Sequence, residues 1–308
     1  MTALAILLHV AALVLLPPLL LGVIGRVKAI AAGRRGPPLL QPYYDVIRLL
    51  RKGAVYSKTT SWVFRAGPIV SLATALGAGL LIPLTTPRAP LGFEGDVVLF
   101  AYLLGLGRFF TMAAALDTGS SFEGMGASRE GAFSALAEPA LFLVLAIICV
   151  PAGTVSFQTA LEPLPSGWDT AHPALVIAAC TLFVVLLAEC SRIPVDDPNT
   201  HLELTMVHEV MVLDHGGPDL ALIEWAKAVR LWLLSALLVD VAVPVRSGAP
   251  LADLAAALAG MAGVGVAIGL VESAMARLRL ARVPQLLVAA SSLAALGAIL
   301  LLRGGPGA

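Results

Sequence analysis

Ala132-Phe133-Ser134-Ala135-Leu136-Ala137-Glu138-Pro139-Ala140-Leu141-Phe142-Leu143-Val144-Leu145-Ala146-Ile147-Ile148-Cys149-Val150-Pro151 contains one acid and no base. A helix of about 20 apolar residues crosses the hydrocarbon layer, and only a structure that pairs its own backbone groups survives there. Seven further runs of this kind lie on either side, at 3–24, 67–85, 97–116, 173–190, 221–243, 252–273 and 284–302. The fold class that follows is all-α: a polytopic membrane protein of about eight transmembrane helices, forming a single membrane domain over 1–308. Pro17-Pro18 must break or bend the first run, because proline removes a helical donor and clashes with the preceding turn.

Composition agrees. Of 308 residues, 58% are hydrophobic and 13% are charged, about half the charge of a soluble chain. Lys and Arg number 20 and Asp and Glu 20, so no basic field exists to draw nucleic acid. Cys149, Cys180 and Cys190 lie in or at the ends of apolar runs without CxxC spacing, and are expected as buried thiols rather than metal ligands. The first run has no base before it and is followed by Arg26, Lys28, Arg34 and Arg35, the reverse of a secretory signal, so it is expected to be retained.

Orientation follows the positive-inside rule. One set of connections holds Arg26, Lys28, Arg34, Arg35, Arg48, Arg51, Lys52, Lys58, Arg65, Arg129, Arg192, Lys227, Arg230, Arg277, Arg279 and Arg282. The other holds Arg88, Arg246 and Arg303, while Arg108 falls inside the third run. The cytoplasmic loops are therefore 25–66, 117–131, 190–220 and 273–283, and an even number of spans puts both termini on the non-cytoplasmic side.

Those loops carry the distinctive chemistry. Gly33-Arg34-Arg35-Gly36-Pro37-Pro38 forces a turn, and Gln41-Pro42 starts a helix with proline at its first positions. Its amphipathic body, with Asp45, Arg48 and Lys52 on one face, suits the membrane interface or a cytoplasmic partner. In 117–131, Ser128 is a candidate cap for the fourth span, and Asp117, Glu123, Arg129 and Glu130 suggest an ion-paired, partly buried segment. In 190–220, Asp197 can cap a helix with Pro198 at its first position that ends at Gly216-Gly217-Pro218. His201, Thr205 and His208 share its face, but two histidines seven residues apart exceed the usual reach to one metal ion, so none is assigned.

Ionised carboxylates within apolar helices cost kilocalories unless they pair or take up a proton. Glu138, Glu189, Glu224, Asp240 and Glu272 are such groups. The alternative is that Glu189, Glu224 and Glu272 merely reach the interface from helix ends, and that Asp240 sits near the outer surface. Arg108 needs a partner, for which Glu138 is a candidate.

Gly33-Arg34-Arg35-Gly36-Pro37-Pro38-Leu39-Leu40-Gln41-Pro42, Gly126-Ala127-Ser128-Arg129-Glu130 and Glu189-Cys190-Ser191-Arg192-Ile193-Pro194-Val195-Asp196 together resemble the subunit-1 family of respiratory complex I. Asp196-Asp197-Pro198-Asn199-Thr200-His201-Leu202-Glu203-Leu204 and Glu272-Ser273-Ala274-Met275-Ala276-Arg277-Leu278-Arg279 look still closer to the membrane subunit of formate hydrogenlyase and hydrogenase-4 type complexes. The resemblance covers essentially the whole chain. It implies eight spans in a bacterial or archaeal cytoplasmic membrane, cytoplasmic partners bearing iron–sulfur clusters and a [NiFe] centre, and antiporter-like membrane partners. By matching positions, it implies a partner junction at Arg34, Arg35, Gln41, Asp45, Glu123, Arg129 and Glu130. It further implies a proton relay through Arg108, Glu138, Glu189, Arg192, Asp196, Glu203 and Glu272.

The leading expectation is a non-catalytic subunit that links electron transfer in its partners to proton or sodium movement. It is expected to bind no cofactor itself, because no dinucleotide turn or cluster spacing is present. A quinone-site subunit of an NADH dehydrogenase is the alternative, although Asp-Asp-Pro-Asn-Thr-His stands where quinone-reducing members have Phe-Asp-Leu-Pro-Glu-Ala-Glu. A stand-alone transporter would predict an internal repeat, and Pro17-Pro18 has no counterpart in the later runs.

Overall fold

The computed structural model describes residues 3–84, 88–162, 172–196, 206–242 and 249–303. Every regular element among them is helical. In chain order these are α1 (Ala3–Leu15), α2 (Pro17–Ala31), α3 (Gln41–Leu50), α4 (Trp62–Gly79), α5 (Asp96–Asp117), α6 (Ser121–Cys149), the single turn α7 (Phe157–Ala160), α8 (His172–Glu189), α9 (Gly217–Ala242), α10 (Pro250–Ala274) and α11 (Val283–Arg303). Short 3-10 turns at Glu209–Val212 and Leu280–Arg282 precede α9 and α11.

Four stretches are long and apolar enough to cross a membrane: α5, α6, α10 over Leu251–Ala274, and Leu280–Arg303. The pair α1–α2 qualifies jointly, bent by 48° at the expected proline break. The carbonyls freed there are not left bare: Tyr43 Oη donates to Leu15 O at 2.6 Å and Trp225 Nε1 to Val14 O at 3.2 Å. The runs expected at 67–85, 173–190 and 221–243 are occupied by α4, α8 and α9. Charged Glu224, Lys227 and Arg230 interrupt α9 up to its middle.

α4 lies along α5 and α9, α2 along α10, and α6 and α8 along α11, enclosing one continuous apolar core. Ser61 caps α4 by accepting from Val63 N at 3.2 Å, and Asp117 Oδ2 adds the backbone donors of Ser61 at 2.6 Å and Phe64 at 3.3 Å. That arrangement fixes the start of α4 to the end of α5. Helix α3 forms where Gln41-Pro42 predicts it, after a turn in which Gly33 and Gly36 have φ of 67° and 65°.

Four expectations require correction. The segment 117–131 is not a loop, because α6 starts at Ser121 and Ser128 sits inside it, donating to Met125 O at 2.9 Å. The ion-paired, partly buried character expected of Asp117, Glu123, Arg129 and Glu130 holds only in part: Glu130 pairs with Arg108 and Glu123 is buried, but Asp117 caps α4 and Arg129 donates to Met206 O at 3.1 Å. Residues 206–216 hold only the turn Glu209–Val212 instead of the last part of a continuous helix, since the segment packs its Val210 and Met211 into α6. The proposed start of that helix at Asp197-Pro198, with His201, Glu203 and Thr205, lies outside the described residues. Finally, Cys149 is buried, but Cys190 is only partly so and Cys180 is exposed on α8.

Candidate functional site

The site grows from Arg108 on α5, whose side chain is 5% exposed. A guanidinium offers donors in a rigid fork, and here each of its nitrogens meets a different carboxylate. Nη1 contacts Glu138 Oε1 at 2.7 Å, Nε contacts Glu130 Oε1 at 3.5 Å, and Nη2 is bonded to Glu189 Oε2. Glu130 and Glu138 both come from α6, and Glu189 ends α8. Enclosing Arg108, Glu130 and Glu189 costs several kilocalories per ion, which mutual attraction repays only when the geometry is close, while Glu138 stays 44% exposed.

Two local structures hold these groups in place. Helix α8 stops by a left-handed residue, Ser191 at φ 51°, with Arg192 N bonded to Leu187 O at 2.8 Å and Ser191 N to Ala188 O at 3.2 Å. This paired closure turns the chain so that Glu189 meets Arg108 while Arg192, three residues on, meets Glu272. On α6, Gly126 lets the 206–212 segment approach closely: a Cβ there would lie 2.3 Å from Val210 Cγ1 and 3.0 Å from Val207 O. That approach brings His208 Nδ1 to 3.3 Å from Glu130 Oε2.

From His208 the charges continue. Asp196 Oδ2 accepts from the backbone N–H of Val207 and of His208, each at 3.2 Å, while Asp196 Oδ1 lies 2.9 Å from Arg277. Glu272, at the end of α10, meets Lys28 at 2.7 Å and Arg192 at 3.5 Å. Lys227 holds Glu209 and Glu224, both at 2.8 Å. These groups surround a cavity of about 270 Å³, whose wall includes Lys28, Glu189, Arg192, His208, Glu209, Glu224, Lys227 and Arg230. On the other side of Arg108, Glu138 reaches a second hollow of about 540 Å³ between α5 and α6, beside the exposed Tyr102, Phe109 and Phe142.

The expected relay residues thus gather around one cavity system. Glu138 and Glu189 meet Arg108 directly and Arg192 lines the first cavity. Glu272 reaches that cavity only through Lys28 and Arg192, and Asp196 only through the backbone of His208; Glu203 lies outside the described residues. Glu130, expected at the partner junction, belongs to the buried cluster instead. The rest of the junction set stays apart. Arg34 and Arg35 are exposed in the turn before α3, and Gln41 donates to Asp45 at 2.9 Å on α3 itself. Glu123 is buried and accepts from Asp214 N at 3.1 Å without touching Arg108. Sequence reasoning missed Lys28, Lys227 and Arg230, which it counted only among the basic residues of the cytoplasmic side. The signal for Lys227 was available, since Glu224 three residues earlier shares its helix face.

A quinone is the one ligand that the resemblance allows this chain to touch, and the first cavity suits it poorly. Such pockets are lined mainly by apolar and aromatic side chains. Here Leu21, Ile24 and Leu231 are the aliphatic members of the wall, no Phe, Tyr or Trp among the described residues lines it, and seven of its fourteen residues are charged.

Comparison with known proteins places this geometry. The profile of the NADH dehydrogenase family matches residues 3–303. Formate hydrogenlyase subunit 4 of Escherichia coli is 30% identical over 87% of this chain and 89% of its own length. Hydrogenase-4 component C of the same organism is 31% identical over 75% and 72%. An NADH-quinone oxidoreductase subunit of Anaplasma phagocytophilum is 27% identical over 70% and 68%. A chain of the membrane-bound sulfane sulfur reductase, an archaeal respiratory membrane complex, shares the fold with a TM-score of 0.83, at 24% identity and 96% and 98% coverage. The chain belongs to the NADH dehydrogenase family, that of complex I subunit 1.

Proposed function

We propose that this chain is the membrane-anchoring, ion-coupling subunit of a hydrogenase-type respiratory complex of the formate hydrogenlyase kind. It has eight spans, α1 and α2 together making the first, with both termini on the non-cytoplasmic side of a prokaryotic inner membrane. The observation that carries the reading is the buried charge system that runs from Glu138 through Arg108, Glu130 and Glu189 to the cavity beside Glu272. Carboxylates placed this way take up or release protons when a neighbouring charge changes, which is what coupling to redox chemistry requires. The greater identity and coverage of the hydrogenlyase and hydrogenase relatives favour those partners. Cytoplasmic subunits with iron–sulfur clusters and a [NiFe] centre would dock on the side of α3 and the 206–216 segment, with antiporter-like subunits in the membrane.

The relay residues are Arg108, Glu130, Glu138, Glu189, Arg192, Asp196 and Glu272; Arg34, Arg35, Gln41, Asp45, Glu123 and Arg129 serve the docking side. A quinone-site role in an NADH dehydrogenase is the second reading, favoured by the NADH-quinone oxidoreductase relative and disfavoured by the charged cavity wall.

The deciding experiment is purification in mild detergent from the native host, with identification of the co-purifying subunits and assay of hydrogen evolution. Nickel- and cluster-bearing partners with hydrogen activity are expected, together with loss of coupled ion movement in Glu189→Gln. NADH-oxidising partners would establish the second reading, and a protein that purifies alone would sink both.

A further inference from the structure

Arg230 is the anomaly of the cavity. It is 6% exposed, its Nε has no partner, and among the described residues no hydrogen bond or ion pair reaches its guanidinium. Every other Lys or Arg on the same wall holds a carboxylate: Lys28 and Arg192 hold Glu272, and Lys227 holds Glu209 and Glu224. A buried, unpaired guanidinium is costly, whereas a paired one is tolerated.

The position of Arg230 shows which carboxylate is within its field. A Cβ on Gly107 would lie 3.5 Å from Arg230 Nη2, so this guanidinium rests against the backbone of α5 one residue before Arg108. Glu189, which Arg108 holds by Nη2, lines the same cavity as Arg230, and the helices that carry them, α8 and α9, are packed together. Two guanidiniums therefore face three carboxylates. At present one guanidinium has all three. Moving Glu189 across would leave Arg108 with Glu130 and Glu138 and give Arg230 one partner, so the number of ion pairs is unchanged.

We propose that Glu189 is a two-position carboxylate, exchanging between Arg108 and Arg230, and that Arg230 is the positioning residue that makes the second position available. The inference rests on the ion-coupling reading and deepens it. The exchange joins the Glu138 side of the charge system to the cavity, because Glu189 is the acid that touches Arg108 and also lines the cavity. The moving group is a side chain at a helix end beside an open volume that Arg230 also lines.

The test uses membrane vesicles that contain the whole complex. Redox-driven proton movement is followed with a pH-sensitive dye, and the redox rate is measured separately with an uncoupler present. Arg230→Met should lower proton movement about ten-fold with the uncoupled redox rate unchanged, and Arg230→Lys should restore most of it. The double variant Arg230→Met with Glu189→Gln should be no worse than Glu189→Gln alone, because both act through one group. Normal proton movement in Arg230→Met, or losses that multiply in the double variant, would overturn the proposal. If Arg230→Met fails to assemble, Arg230→Gln replaces it, and failure of both overturns the proposal in favour of a purely structural arginine. Normal coupling in Glu189→Gln would instead defeat the ion-coupling reading itself.

Discussion

Replacing Arg108 with glutamine should damage the molecule more than any other single change in the charge system. Glu189 and Glu130 have side chains 2% and 11% exposed, and Glu138 is 44% exposed. Glu138 is therefore the least enclosed of the three, and the stranded charge falls chiefly on the other two. A buried carboxylate left without its cation costs about 3–5 kcal/mol, so the loss should be about 4 kcal/mol, with His208 and Arg230 keeping it from doubling. At roughly 2–4 °C per kcal/mol for a chain of this size, the purified complex should melt roughly 10 °C lower. The assay is thermal unfolding of the detergent-solubilised complex, followed by loss of the monodisperse species. Arg108→Gln with Glu189→Gln should recover part of the loss, because the second change removes the charge that the first stranded. Unchanged melting in Arg108→Gln, or strictly additive losses in the double variant, would refute the idea that this cluster is held by charge.

Other expectations follow from single contacts. His215 is stacked on Phe64, with ring centroids 3.9 Å apart, and burial pushes its pKa below the ordinary 6.5 despite the opposing charges of Asp219 and Asp214. Because the unfolded chain binds a proton there that the folded one resists, its contribution to stability is full above about pH 6.5 and falls as pH drops toward the lowered folded value. Melting curves at pH 7.5 and 5.5 should therefore converge partly in His215→Phe. Ser191→Gly should raise stability by about 1 kcal/mol, since Ser191 occupies a left-handed conformation that costs an L side chain about that much; a lower melting temperature would mean that the hydroxyl matters more than the backbone. Gly126→Val should cost about 1–3 kcal/mol or displace the 206–212 segment, and an infrared or crosslinking probe between positions 126 and 210 would show which.

What the sequence revealed and what it hid have different physical origins. The helices α5, α6, α10 and α11 and the break at Pro17 were readable because lipid and proline impose one-dimensional rules on the chain. Helix α3 was readable for the same reason: Gln41-Pro42 and the glycines before it act locally. The beginning of α6 was not. Gly124, Gly126 and Gly131 read as a loop, yet they lie in a helix because Gly126 faces Val210, a contact separated by more than 80 positions. Charge placement failed similarly. Lys227 and Arg230 satisfied the rule that assigns basic residues to the cytoplasmic side, and that rule does not distinguish a side chain facing water from one facing a cavity. Arg108 with Glu138 was recoverable because an arginine inside an apolar run demands an acid, whereas the roles of Glu130 and His208 depended on how closely the 206–212 segment lies on α6.

The interruption between α1 and α2 also makes the first span a two-part lever. Both halves touch α9, while α4 packs on α1 and α10 and α3 pack on α2. The carbonyls of Val14 and Leu15 are served by side chains from α9 and α3, so the angle at the joint can vary without either helix surrendering its interior hydrogen bonds. A displacement of α3 would reach Leu15 through the Tyr43 hydroxyl, and α2 and α9 through direct packing. On this arrangement the bend is a linkage, and Tyr43 is its pin.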